Sequence, residues 1–465
     1  MKSLAGSRPN SIGIGIHKWV AALALARDFR ATRTKGAILS SSTETDLPAD
    51  IAATLVNPAA YADHRLHDAY RWLRANNPLG IARPEGFDPF WVVTKHAHIQ
   101  AISRQNDLFH NADRPTTLTK KAIEERTRRI TGTPNLVRSL VQMDAPDHPK
   151  YRALTQSWFM PVNLGKFEAR VRTIARSAVE RMMAHGGRCD FVADVALRYP
   201  LHVIMEILGV PEEDEPRMLK LTQELFGAQD PDTARFRDAI SPEMFSAMIE
   251  AVVKDFGAYF GKISADRRAN PRDDLATVIA NGKINGDYLP ELDMTSYYMI
   301  VATAGHDTTS SSTAGAIWAL AENPQEFAKV KANPELIPGL VDEAIRWTTP
   351  VKNFMRSATA DTEMGGRKIA KGDWLMLCYA SRNRDEEVFE DPFTFRSDRR
   401  PNRHVAFGYG AHLCLGQYLA KMEMRILFEE LLPRLKSLAL DGEAKMSQAT
   451  FVNGPKALPI RFELN

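Results

Sequence analysis

The chain has 465 residues, 44% hydrophobic and 25% charged, with a formal net charge of +3. This balance suits a globular protein with a substantial core, and the mild positive charge gives no argument for nucleic acid. The cysteines are Cys189, Cys378 and Cys414, too sparse and odd in number for a disulfide framework, which favours a reducing cytoplasm. No uninterrupted apolar stretch approaches the ~20 residues of a membrane-spanning helix; "WVAALALA", Trp19–Ala26, is too short.

Residues 1–45 carry Lys2, Arg8, Lys18, Arg27, Arg30, Arg33 and Lys35 against the acids Asp28 and Glu44. A targeting or membrane-surface segment has this look, but so does a basic, disordered N-terminal extension, and the latter is the expectation here. From Leu47 the texture is mostly helical, with no low-complexity linker and no internal repeat. Leu66, Tyr70 and Leu73 mark a helix that stops at Asn77-Pro78. "FWVVTKHAHIQAIS" begins as a strand at Phe90–Thr94 and turns helical, and "LGKFEARVRTIARSAVERMMAHG" is an amphipathic helix ending at Gly186-Gly187.

The run from about Leu292 to Glu322, bounded by Pro290 and Pro324, would span roughly 45 Å if helical throughout. Its middle, "AGHDTTSSST", sets six hydroxyl residues in a row after an acid. Such side chains compete for backbone hydrogen bonds, so the stretch is either a loop between two helices or a helix weakened beside a ligand. Further on, a hairpin through Gly365-Gly366 and Lys371-Gly372 leads into a strand, Trp374–Tyr379. "NRDEEVFEDPFTFRSDRRPN" reads as a long irregular segment ordered by packing of Phe389, Phe393 and Phe395, and another strand pair is expected near "TFVNGPKALPIRF".

"FGYGAHLCLGQ", Phe407–Gln417, places a rare cysteine in a glycine-rich loop. Leu415, Leu419, Met422 and Ile426 then step as a helix with one buried face, running to about Leu432-Pro433. Cys414 thus lies at a helix N-terminus, where amide groups and the positive dipole end favour a thiolate. Gly408 and Gly410 allow a tight turn against a flat partner, and Gly416 keeps the first helical turn thin. The arrangement suits a thiolate axial ligand to a metal cofactor. A buried small hydrophobe, half of a zinc site or a phosphate cradle are the competing readings; the last two lack a second cysteine pair and a Lys-Ser or Lys-Thr.

"FGYGAHLCLG" resembles the haem-binding signature of the cytochrome P450 family, with Phe407, Gly408, Gly410, His412, Cys414 and Gly416 in place. "EAIR", Glu343–Arg346, and "AGHDTT", Ala304–Thr309, are similar to two further motifs of that family, in the same order and spacing. The resemblance runs from about Leu47 to the C-terminus and implies a mainly α fold with minor β. It further implies a single haem domain over 46–465, built on a long distal helix with small sheets. It implies haem b with Cys414 as axial thiolate, tuned by Phe407 and the loop amides, and an acid–alcohol pair, Asp307 and Thr308, that serves oxygen activation. Ala304 and Gly305 would leave room beside this pair; His306 is an unusual occupant of a variable position and receives no role. Glu343 and Arg346 are implied to be a buried structural pair joined by Arg399.

The haem propionates would meet His148, Arg152, Arg356 and His412. The substrate pocket would take Ile300, Thr303 and Ala304, Val351, Phe451 and Val452, and part of 109–141. These positions are largely apolar, so an uncharged hydrophobic substrate is expected, and the pattern most resembles bacterial enzymes that hydroxylate terpenes. No flavin or nicotinamide fingerprint occurs, so electrons would come from a 2Fe–2S or similar ferredoxin and its NAD(P)H-dependent reductase. The ferredoxin would dock near Lys150, Arg403 and Lys421. The resemblance implies an O2-dependent monooxygenase acting on a terpene or aromatic hydrocarbon; a sterol hydroxylase, a peroxide-using peroxygenase and a non-catalytic haem sensor are the alternatives.

Overall fold

A computed structural model describes residues 45–232 and 241–465. The extension expected over 1–45 lies, apart from Thr45, outside the described residues. From Thr45 onward the chain packs as one unit. It is mainly helical with small separate sheets, and no helix among the described residues is long and apolar enough to cross a membrane.

The long run is one continuous helix, Glu291–Glu322, of 32 residues. Pro290 stands at its start, and Pro324 opens the next helix one residue after Asn323. The hydroxyl run does not break it. Thr303 Oγ1 donates to the Met299 carbonyl at 2.8 Å, Thr308 Oγ1 to Ala304 at 2.7 Å, and Ser312 Oγ to Thr308 at 3.0 Å. Hydroxyls that bond four residues back stay compatible with a helix. Burial on nearly every side supplies the stability that propensity lacks. Gly305 serves this packing: a Cβ there would lie 3.1 Å from Ile204 Cγ1, on the crossing helix Arg198–Leu208. Its small size is thus needed on that side, and not only as room for a ligand.

The helix after the cysteine spans Gln417–Leu431 and buries Leu419, Met422 and Ile426. The helix before Gly186 spans Glu168–Met183, and the early one Arg65–Asn76. In the five-stranded sheet the order is Leu79–Ala82, Phe90–Val93, Trp374–Cys378, Asn353–Ala358, Phe109–His110. Phe90–Val93 and Trp374–Cys378 pair in parallel and are wholly buried, which explains their unbroken apolar runs. The second strand stops at Cys378, because Tyr379 begins a helical turn. Along Asn353–Ala358 alternate residues share a face, and this brings both Phe354 and Arg356 to one cavity.

Near the C-terminus the expected strand pair is two separate pairings. Pro455–Ala457 pairs with Lys445–Met446, whereas Pro459–Leu464 lies between Leu435–Leu440 and Arg188–Asp190. The turn ahead of them is tied to Val351 by a bridge through Val452 and by Lys352 N–H donating to the Phe451 carbonyl at 2.9 Å.

Residues 383–409 contain neither helix nor strand. Phe389 and Phe395 are buried in this segment, but Phe393 is only half-buried, under the Arg71 guanidinium at 4.3 Å. Packing alone therefore does not order it; two arginines collect its carbonyls. Arg346 pairs bidentately with Glu343, both contacts at 2.7 Å and both side chains fully buried. Its remaining N–H groups reach the carbonyls of Asn383 and Pro392, each at 2.9 Å. Arg399 joins Glu343 at 3.1 Å and donates to the carbonyls of Glu390 at 2.6 Å and Thr394 at 2.7 Å. The arginines hold the Glu343 carboxyl below its usual range against the opposing effect of burial.

Candidate active site

The cysteine loop leaves this arginine network directly. Asn402 Nδ2 donates to Glu343 at 3.2 Å, and the Val405 N–H donates to Asn383 Oδ1 at 2.8 Å. Within the loop the Cys414 N–H donates to the Phe407 carbonyl at 2.8 Å. Gly410 has φ +77°, and a Cβ there would fall 1.9 Å from the Ser103 carbonyl oxygen, so only glycine fits this approach to the helix His96–Arg104.

Cys414 faces a cavity of about 860 Å³. Burial raises its thiol pKa, while the Gly416 and Gln417 amides and Arg152 pull the other way. Against the sequence expectation, the helix end does not by itself outweigh burial. A thiolate here calls for a cationic ligand partner, and a coordinated thiol is deprotonated outright.

Across the cavity stand Ile300, Thr303, Ala304 and Thr308 of the long helix. Val351, Phe451 and Val452 also line it, as do Phe407, Gly408 and Gly416 of the loop. A Cβ on Gly416 would meet no atom within 4 Å, which leaves open space beside the sulfur for a flat group.

One edge of the cavity is cationic. His148, Arg152, Arg356 and His412 converge there. The rings of His148 and His412 lie 4.1 Å apart, and His148 Nε2 is buried without a hydrogen-bond partner. Burial, then Arg356, His148 and Arg152, push His412 down to about 2. The nearest acid, Asp144, is 3.9 Å from His412 Nε2 and already accepts from the amides of Asn111 and Ala112. A donor-rich edge with an orphaned imidazole, next to open space over a sulfur, fits a flat macrocycle that carries two carboxylates.

Asp307 does not line the cavity. One residue round the helix from Thr308, its Oδ2 is buried without a hydrogen-bond partner, 3.5 Å from His306 Nδ1. Of the three cations named for docking, Lys150 and Arg403 are exposed, whereas Lys421 is paired with Asp342 at 2.8 Å. Sequence reasoning missed the roof: Leu225 and Phe226 from the helix Glu215–Phe226, Phe245 and Ile249 from the helix Pro242–Ala269, and Phe354. Their periodicity marks an apolar face without saying whether it meets core or cavity. Only the strand alternation of Phe354 with Arg356 offered a signal.

Residues 88–462 match the family model for cytochrome P450. The chain belongs to the cytochrome P450 family. This P450 is 49% identical over 419 residues to cytochrome P450-terp of a Pseudomonas species, an alignment covering 90% of this chain and 98% of the relative. It is 32% identical to linalool 8-monooxygenase of Pseudomonas putida, covering 87% and 98%. It is also 32% identical to a steroid C26-monooxygenase of Mycolicibacterium smegmatis, covering 85% and 88%. The crystal structure of CYP108D1 from Novosphingobium aromaticivorans superposes with a TM-score of 0.83 at 46% identity, over 90% of this chain and all of that one. The protein is a cytochrome P450 monooxygenase, and this family holds haem on a cysteine thiolate.

Proposed function

We propose that residues 46–465 form a haem domain that hydroxylates an unactivated C–H bond of a small terpene or aromatic hydrocarbon in the cytoplasm, with electrons from a ferredoxin. One observation carries the substrate class. Apart from the cationic edge, the ionisable side chains of the cavity among the described residues are Cys414, Tyr379, exposed Lys120 and buried Glu423, whose carboxyl burial pushes well up. Away from the cationic edge and Lys120 a charged substrate would find no partner, and a neutral apolar one loses nothing. The cavity must also take the porphyrin, so the remaining space suits a small molecule. The names of the terp and linalool relatives point the same way.

In this reading Cys414 ligates the iron, and His148, Arg152, Arg356 and His412 hold the propionates. The bound haem supplies oxygen activation, helped by thiolate donation that favours O–O cleavage. The chain's own groups do the rest. The Gly416 and Gln417 amides point at the sulfur and moderate its charge. Thr308 Oγ1, which donates to Ala304 at rest, keeps its lone pairs toward the cavity and accepts a proton donor there. Asp307 brings protons from the far side of the helix. Lys150 and Arg403 meet an acidic ferredoxin on the cysteine side, steering its approach more than setting affinity.

Turnover with ferredoxin, its reductase and NADH in air tests the proposal, with terpenes, alkylbenzenes, polycyclic aromatics and sterols supplied separately. A low- to high-spin shift and a hydroxylated terpene or arene are expected. Product only from sterols, or only with added peroxide, contradicts the substrate or the oxidant assigned. Thr308→Ala is expected to leave haem and substrate binding unchanged. Product per NADH then drops by about 10²-fold while peroxide accumulates. Unaltered coupling removes Thr308 from proton delivery.

A further inference from the structure

We propose that His306 is a positioning residue for the acid: an imidazolium whose ion pair with Asp307 fixes that carboxylate at rest and ties it to the roof helix Glu215–Phe226. The proposal rests on the assignment of Asp307 to proton delivery.

Three neighbours surround the ring. His306 is wholly buried, and its Nε2 lies 2.7 Å from the Leu197 carbonyl. A carbonyl only accepts, so Nε2 carries a proton. Nδ1 faces Thr222 Oγ1 at 3.1 Å, and that hydroxyl also reaches the Leu219 carbonyl at 3.0 Å, so it can give its proton to the carbonyl and accept from Nδ1. Thr222 thus admits a second proton on Nδ1, and the acid beside it calls for one. A doubly protonated ring needs a counter-charge, and Asp307 Oδ2 lies 3.5 Å from Nδ1 with no hydrogen-bond partner. Burial alone would lower the imidazole pKa, but the Asp307 carboxylate and the Leu197 carbonyl outweigh it and leave it raised.

The placement links the acid to the substrate. Thr222 lies on the helix whose Leu225 and Phe226 line the cavity, and Leu197 caps the helix whose Ile204 packs on Gly305. Movement of the roof by a bound ligand therefore alters the Thr222 contact and, through the imidazole, the hold on Asp307.

The test uses the holoenzyme. In the ferrous carbonyl form with ¹⁵N-histidine, both His306 ring nitrogens are expected to be protonated at neutral pH. A neutral ring overturns the proposal, and this readout needs no variant. His306→Gln is expected to lower product per NADH about tenfold, to enlarge the solvent isotope effect on product formation, and to keep substrate affinity within about twofold. Because His306 acts through Asp307, His306→Gln/Asp307→Asn should be no worse than Asp307→Asn. Losses that multiply, or full coupling in His306→Gln beside an impaired Asp307→Asn, overturn the inference. Full coupling in Asp307→Asn overturns the assignment of the acid itself.

Discussion

Arg346→Ala destabilises the fold by about 3–5 kcal/mol and releases haem, although the side chain never touches the cavity. An exposed pair three residues apart on a helix contributes a few tenths of a kcal/mol, and losing it goes unnoticed. Here both partners are fully buried. Among the described residues the arginine is the only link from Glu343 to the Asn383 and Pro392 carbonyls. Removing the arginine takes the bidentate partner from a buried carboxylate, leaving it Arg399, Asn402 and the Arg396 N–H, and strips two buried carbonyls of their donor, which sets the size of the loss. Because Asn383 Oδ1 and Glu343 hold the backbone N–H of Val405 and the side chain of Asn402, the cysteine loop loosens with them. Arg346→Lys should not rescue, since an ammonium lacks the fork that matches both carboxylate oxygens. Denaturant midpoints and haem per chain are the measurements; a loss under 1 kcal/mol with full haem content means the loop is anchored elsewhere.

Cys414→His abolishes product formation, a loss of at least about 10³-fold, while part of the haem is retained. The edge of His148, Arg152 and Arg356 survives the substitution, and in the proposed reading it still holds the propionates. What disappears is the anionic sulfur, and a neutral imidazole pushes less electron density toward O–O cleavage. Product per bound haem, measured with ferredoxin and reductase, separates this chemical loss from simple haem loss. Turnover above a tenth of the parent's would mean that the sulfur is not the axial donor.

Helix ends were the most legible feature, because Pro290, Asn77-Pro78 and the glycines after Met183 act through local backbone chemistry. The hydroxyl run was not legible: its propensity fits a loop or a helix, and only the surrounding helices decide. The irregular segment was correctly free of regular structure, yet its order comes from Arg346 and Arg399, which act across tens of residues. Family resemblance brought Cys414, Thr308 and the cationic edge to one list, and they line one cavity. The roof of Leu225, Phe226, Phe245 and Ile249 escaped because an apolar helix face reads alike against core and against ligand. His306 escaped because its partners Leu197 and Thr222 are distant in sequence.

The carbonyl spectrum of the reduced, haem-loaded protein tests the central claim most directly. With Cys414 ionised and bound to iron, carbon monoxide gives the strongly red-shifted Soret band of a thiolate-ligated haem, and Cys414→His loses it. A Soret band at the position of an imidazole-ligated carbonyl haem, with helical content and haem occupancy intact in the unmodified chain, contradicts the account.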